Sequence, residues 1–343
     1  MFKIGNKIIS PNHKPYIIAE ACINHEGNMN LAKKMIVLAA KAGASAIKFQ
    51  MHVLDDEMLR KTPKSSNFDE SLYDALNRTN FNTKQHIYLK KFCKVNNIDY
   101  ICTPFSRKSA DILFHDVKVK VFKVGSGELT NIPLQKFIAQ KKLPTIISTG
   151  MSTLKEVQYT FDQVYKINKK IVLTQCTSIY PCPYEYSDIG VITQYRNKFS
   201  VPIGLSDHTD SIYTSLGAIA LGACLIEKHF TLNKKSKGPD HASSIEVDEL
   251  KELVDGSNTI FLAKNSKKKI HHKEKEIIKW ARESVVSTEN LKKNEVLTES
   301  NVSVKRPAPL KNVIPARKFF SILGKKASKN IIKDRQIKWN DIK

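Results

Sequence analysis

Eight short apolar runs, each followed by a stretch of helical spacing, constrain this chain more than any other feature. They occupy residues 16–20, 46–50, 99–103, 121–126, 145–148, 171–176, 201–206 and 225–229. A strand buried on both faces reads as an unbroken run rich in β-branched residues, and parallel neighbours need crossovers between them. Residues 30–42 supply one such crossover, with Leu31, Met35, Leu38 and Ala42 on one face. Residues 153–164, 211–223 and 246–262 repeat the pattern, and Gly43, Gly150 and Gly256 read as helix stops or turn residues. Eight such units predict an α/β chain folded as a (β/α)8 TIM barrel. A doubly wound sheet is the alternative. No G-x-G-x-x-G opens a helix after the first run, which argues against its dinucleotide-binding version.

The cadence stops near residue 264. Residues 264–275 (KNSKKKIHHKEK) are charged and poor in apolar side chains, and beyond residue 284 short β-like runs alternate with turn signals. The expected domains are a barrel over 1–264, a linker over 265–283 and a small domain over 284–343. The charge is uneven too: 56 Lys+Arg against 33 Asp+Glu give +23. Residues 264–343 hold 22 basic and 8 acidic side chains, or +14. A basic tail suits nucleic acid or an anionic surface, yet this one lacks clustered aromatics, Gly-rich RNA motifs and zinc spacing, so no nucleic-acid partner is expected. No run of about 18 apolar residues exists, so no membrane partner is expected either. The six cysteines (22, 93, 102, 176, 182, 224) include no CxxC, and residues 1–10 lack the apolar core of a leader. Both point to a cytoplasmic location.

In a barrel of this kind the active site lies at the carboxyl ends of the strands. Glu20 ends the first run, Lys48 and Gln50 the second, and Thr103 the third. Lys123, Ser126 and Glu128 lie at the fourth and Ser148 at the fifth. Ser178 and Tyr180 follow the sixth, Ser206 and His208 the seventh, and His229 ends the eighth. Two lysines converging with several hydroxyls suit a phosphate or carboxylate ligand. Strands stand about 4.8 Å apart, so His208 and His229 on neighbouring strands could share one ion. With no nearby thiolate or third histidine, such a pair favours an open, oxygen-rich site for Mn²⁺, Mg²⁺ or Co²⁺. Buried, hydrogen-bonded histidines are the alternative. Cys176 and Cys182 read as packing residues.

Taken in order, these strand ends resemble the sialic acid synthase family. The matching strings are IAEACINHEGN, IKFQMHVLDDEM, CTPFS, FKVGSGEL, ISTGM, CTSIYPCPYE, GLSDHT, ALGACLIEKHFT and GPDH. The C-terminal SVV, LKKNEVLT and VKRP segments resemble the family's antifreeze-like (SAF) domain.

The resemblance implies a TIM barrel followed by a SAF domain, assembled as a domain-swapped homodimer. It implies a transferase that joins phosphoenolpyruvate to an N-acylated amino sugar aldehyde, consuming water and releasing phosphate. Residues 52–58 (HVLDDEM) and 67–76 (NFDESLYDAL) resemble the N-acetylneuraminate branch, with N-acetylmannosamine as acceptor, more than the legionaminic or pseudaminic branches. Carried over by position, His208 and His229 would hold a divalent metal, Mn²⁺ first, with Mg²⁺ or Co²⁺ possible. Lys48, Thr103, Lys123, Ser126, Ser148, Ser178 and Ser206 would hold phosphoenolpyruvate. Glu20, Gln50, Asn67, Tyr180 and Asp240 would meet the sugar, Glu20 also acting as a catalytic carboxylate. Glu128 would move a proton or position the attacking water. Arg306 would reach from the partner's SAF domain to the N-acyl group.

Overall fold

The computed structural model describes residues 2–61, 70–264 and 267–343. The chain forms two compact units, residues 1–265 and 266–343. The first opens with an antiparallel hairpin, β1 (Phe2–Ile4) and β2 (Lys7–Ile9). Gly5 turns it with φ +55, and a Cβ there would meet the Asp99 carboxylate.

Eight parallel strands then close a barrel: β3 (Tyr16–Glu20), β4 (Ala46–Met51), β5 (Asp99–Pro104), β6 (Phe122–Val124), β7 (Thr145–Ser148), β8 (Ile171–Cys176), β9 (Ile203–Asp207) and β10 (Leu225–His229). β10 pairs with β3 to complete the ring. All eight fall within or beside the runs read from the sequence, because two-sided burial leaves an apolar signature.

Helices α1 (Met29–Lys41), α2 (Leu54–Glu57), α3 (Leu72–Thr79), α4 (Thr83–Val95), α5 (Arg107–His115), α6 (Ile132–Gln140), α7 (Leu154–Tyr165), α8 (Val191–Lys198), α9 (Tyr213–Ala220) and α10 (Val247–Ala263) surround the ring. Their ends carry side-chain caps. Asn28 caps α1, and Asn82, Ser106 and Thr153 form capping boxes on α4, α5 and α7. Gly43 stops α1 as expected, at φ +87. Gly256 does not stop a helix: it lies inside α10, where a Cβ would stand 3.0 Å from Leu216 Cδ2. Its hydrogen lets α10 approach α9.

Alternate strand residues face the barrel interior. Ile18, Ala46, Ile101, Val121, Ile146, Val172 and Leu225 form a buried layer there, closed from below by Ile4 and Ile9 of the hairpin. Two positions further along the same strands come Glu20, Lys48, Thr103, Lys123, Ser148, Thr174 and Glu227. Each strand thus changes from apolar to polar as it nears the carboxyl rim.

The second unit opens with α11 (Glu274–Ala281), a helix within the stretch read as a linker. Its Ile277, Ile278 and Trp280 give it an apolar side that the lysine-rich flanks obscure in the sequence. β11 (Ser284–Ser287) and β12 (Val302–Lys305) pair antiparallel over a small core that includes Val285, Leu291, Ile314, Ile322 and Ile337. No helix among the described residues is long and apolar enough to cross a membrane.

Candidate active site

A cavity of about 560 Å³ opens at the carboxyl rim of the barrel. Every described candidate residue of the first unit lines it. Asn67 lies outside the described residues. Arg306 is an exposed side chain of the second unit, 3.6 Å from Glu283.

The cavity floor is a chain of buried charges. Lys48 bonds Glu20 directly, stands 3.5 Å from Glu227, and donates to Thr103 Oγ1 at 3.1 Å. Lys123 lies 3.2 Å from Glu227, which also accepts from Ser206 Oγ at 2.9 Å. Burial pushes the Glu227 carboxyl up, but Lys123, Lys48 and Ser206 outweigh it and hold it at about 2. Burial raises Glu20 against the pull of Lys48. Burial also lowers Lys123, and Glu227 opposes it. Two cations and two carboxylates therefore balance in a buried floor, with Lys48 on Glu20 Oε2, while Glu227 Oε2 has no hydrogen-bond partner. Glu227 was not among the residues expected here. The alternation Leu225, Glu227, His229 along β10 would have found it.

Beside this floor lies a cradle of hydroxyls. Gly150 N donates to Ser126 Oγ at 3.1 Å, and Ser126 Oγ to Cys176 Sγ at 3.3 Å. Ser178 Oγ is 3.8 Å from the same sulfur, and Ser148 Oγ shares a hydrogen with Thr174 at 2.9 Å. Gly150 lies in the turn after β7, as one of the two readings had it, and also borders the cradle. A Cβ there would stand 2.7 Å from Ser126 Oγ and closer still to Ser178 Oγ. A ring of hydroxyls, a backbone N–H and two ammonium groups can hold an oxyanion of phosphate or carboxylate type.

Glu128 sits in the turn after β6, its Oε2 buried without a partner. Burial, then the Glu57 charge, raises its carboxyl from an ordinary 4.5 to about 7. Such a group can give or take a proton near neutrality. Glu57 is held at 2.7 Å by His52, whose other nitrogen is 3.2 Å from Gln50 Oε1.

The opposite wall carries the two histidines, ring centroids 5.3 Å apart. Tyr180 packs on both, at 4.0 Å from His208 and 5.6 Å from His229. His208 Nδ1 lies 2.8 Å from the Thr177 carbonyl, which can only accept, so Nδ1 carries a proton and Nε2 is the nitrogen left for a cation. Burial lowers this imidazole, but Cys176, the Thr177 carbonyl and Asp207 outweigh it and raise it above 6.5. Burial, then His208 and Lys48, push His229 well below 6.5, so it is neutral, and its buried Nδ1 has no partner. The donor set fits a divalent cation: one oriented imidazole, one neutral imidazole with an orphan nitrogen, and Asp240 beside them. Behind the wall, Lys228 pairs with Asp207 at 3.3 Å and bonds the Thr209 carbonyl. Asp207 also accepts from Thr209, Thr214 and Ser215. This outward-facing network fixes the backbone on both sides of His208.

His25 lies apart from these groups, stacked on Phe81 at 4.2 Å, and burial lowers it to about 3. It is a packing residue. All six cysteines are free and buried.

A polar rim of this composition on a closed parallel barrel has the make-up of an enzyme site able to hold a small anion. Comparison with known proteins makes the assignment narrower. Residues 35–269 match the NeuB family and residues 282–343 the SAF domain. The chain is 39% identical to the N,N'-diacetyllegionaminic acid synthase of Campylobacter jejuni over 95% of its length and 99% of that protein. It is 32% identical to the human N-acetylneuraminate-9-phosphate synthase, over 96% and 93%. The N-acetylneuraminic acid synthetase of Leptospira borgpetersenii, solved with citrate, superposes with TM-score 0.72 at 33% identity, over 81% of this chain and 94% of that one. The chain belongs to the NeuB family of nonulosonic acid synthases.

Proposed function

We propose that this protein condenses phosphoenolpyruvate with an N-acetylated amino sugar in its open-chain aldehyde form. The observation that carries this reading is the single cavity joining an anion cradle (Lys48, Lys123, Ser126, Ser148, Ser178) to a pair of imidazoles. In the reaction a C–C bond forms between C3 of phosphoenolpyruvate and the aldehyde carbon. Water adds at C2, the aldehyde oxygen gains a proton, and phosphate leaves by C–O cleavage.

Lys48 and Lys123 offset the charge of the phosphate and carboxylate, while the serines and Thr103 fix their orientation. Glu20 and Glu227 face the region where C2 becomes cationic, and the unpartnered Oε2 of Glu227 needs no reorganisation to stabilise it. Glu128, poised near 7, moves the proton released by the attacking water. A divalent cation on His208 and His229 would polarise the aldehyde oxygen as a Lewis acid. Gln50, Tyr180 and Asp240 would orient the sugar. Arg306 would serve the site of a second subunit in a domain-swapped homodimer, and the enzyme would work in the cytoplasm.

Two acceptors deserve comparison. The motif resemblance favours N-acetylmannosamine. The cavity wall of Ile23, Met58, Leu72 and Leu76 favours a less hydroxylated sugar, a 2,4-diacetamido-trideoxy hexose. The Campylobacter relative, named for diacetyllegionaminic acid, supports the second. A sugar phosphate fits least, since Lys48 and Lys123 are the only lining cations among the described residues and both sit at the cradle. Phosphate release measured with each acceptor, with the product identified by mass, tests the reading. No phosphate release with any N-acetylated amino sugar would sink it.

A further inference from the structure

Cys22 follows Ala21 at the end of β3 and holds φ +43, in the left-handed region that glycine occupies freely and other residues seldom do. Strain of this kind persists where its surroundings over-determine it. Here Cys22 N donates to Glu20 Oε1 at 2.6 Å, and Ala21 N to the Lys48 carbonyl at 3.0 Å. The turn aims the Cys22 side chain into the cavity. Its sulfur, one ring nitrogen of His229 and one Asp240 carboxylate oxygen lie within 4.8 Å of one another. His229 is 7% exposed, and its Nδ1 has no hydrogen-bond partner. Ligands on a tetrahedral cation, at about 2.0–2.3 Å from it, stand roughly 3.5 Å apart, so small side-chain rotations close this triplet on one ion.

We propose that Cys22 is a metal ligand of this protein, binding the same cation as His229 and Asp240 and turning the site toward softer ions such as Zn²⁺ and Co²⁺. The proposal rests on the reading above that His229 binds a cation. A thiolate with imidazole and carboxylate ranks Zn²⁺ and Co²⁺ above Mn²⁺ and Mg²⁺, whereas two imidazoles with oxygen donors suit Mn²⁺. As the metal–sulfur bond forms, the thiol proton passes to solvent. Cys176, the other cysteine lining the cavity, is placed differently. It is held by Ser126 and faces Nδ1 of His208 at 3.9 Å, the nitrogen already committed to the Thr177 carbonyl.

Titrating the metal-free, full-length protein with Co²⁺ tests this by absorption. Visible d–d bands report that the ion is bound, and a near-ultraviolet sulfur-to-cobalt charge-transfer band reports a thiolate ligand. The wild type should show both. Cys22→Ser should keep the d–d bands and lose the charge-transfer band. Cys22→Gly, which also relieves the backbone, should do the same and lower the Zn²⁺-over-Mn²⁺ affinity ratio by about 10- to 100-fold. Wild-type d–d bands without charge transfer would overturn the thiolate ligand and leave the histidine site standing. A charge-transfer band that survives Cys22→Ser would assign it to another sulfur and overturn the proposal. No Co²⁺ bands at all would remove the metal site itself.

Discussion

Gly150→Ala separates the anion cradle from the rest of the fold. Gly150 has no positive φ, so its backbone does not demand glycine. What demands it is space. An added Cβ would stand 2.7 Å from Ser126 Oγ, nearer still to Ser178 Oγ, and 3.1 Å from Cys176 Sγ. Both hydroxyls end short side chains that can swing away about χ1. Overpacking at that site therefore costs less than about 1 kcal/mol, and the lower entropy of the unfolded alanine chain offsets part of it. The swing removes both hydroxyls from the cradle. Each hydrogen bond to a charged phosphate contributes about 1.5–3 kcal/mol, so two contribute about 3–6. The expected loss in kcat/KM for phosphoenolpyruvate is about 10²- to 10⁴-fold. Phosphate release at varied phosphoenolpyruvate and urea unfolding of the same preparations measure the two effects. A variant within twofold of wild type in kcat/KM would refute the cradle. So would a loss of about 3 kcal/mol in stability with phosphoenolpyruvate kinetics intact.

Four further outcomes are expected. Glu128 ionises near 4.5 unfolded and about 7 folded, so its contribution to stability is full below 4.5 and is lost as pH rises to 7. Glu128→Gln should therefore raise stability at pH 8, by at most about 3 kcal/mol in chemical unfolding, while kcat falls about 10²- to 10⁴-fold. Unchanged stability at pH 8 would contradict the buried acid. Glu227→Gln leaves Lys48 and Lys123 facing only Glu20, and should cost about 3–5 kcal/mol in unfolding free energy. Inorganic phosphate should raise its melting temperature more than that of wild type; a loss under about 1 kcal/mol would refute the charge ladder. Chelation should abolish activity and Mn²⁺ restore it, and His208→Ala should no longer bind Mn²⁺ by electron paramagnetic resonance. Leu76→Gln, which makes the apolar wall polar, should lower kcat/KM for a diacetamido-trideoxy hexose more than for N-acetylmannosamine; equal losses would argue against that wall as a specificity element.

The strands were legible because a barrel strand is apolar on both faces until it nears the rim, where Lys48 and Lys123 interrupt it. A lysine inside an apolar run needs a partner, and the sequence pointed to a site without naming that partner. Glu227 was hidden by Lys228, since the pair reads as an ordinary charged dipeptide. Alternation sends Glu227 inward to Lys48 and Lys123, and Lys228 outward to Asp207. The placement of Cys22 left no trace in composition or period, because it depends on one left-handed residue after β3. Gly256 departs from its reading for a related reason. A glycine kept for close approach looks like a glycine kept for a turn, and only the neighbours in space tell them apart. The hairpin β1–β2 was too short to register as a run.

That hairpin sets how the reaction can be staged. Ile4 and Ile9 stopper the amino end of the barrel, so it is a well rather than a tunnel. On the proposed reading, the three-carbon donor settles at the bottom, against Lys123, and the sugar lies above it like a lid. Arrival is then donor first, sugar second. Departure runs the other way, with the long-chain acid leaving before inorganic phosphate can escape.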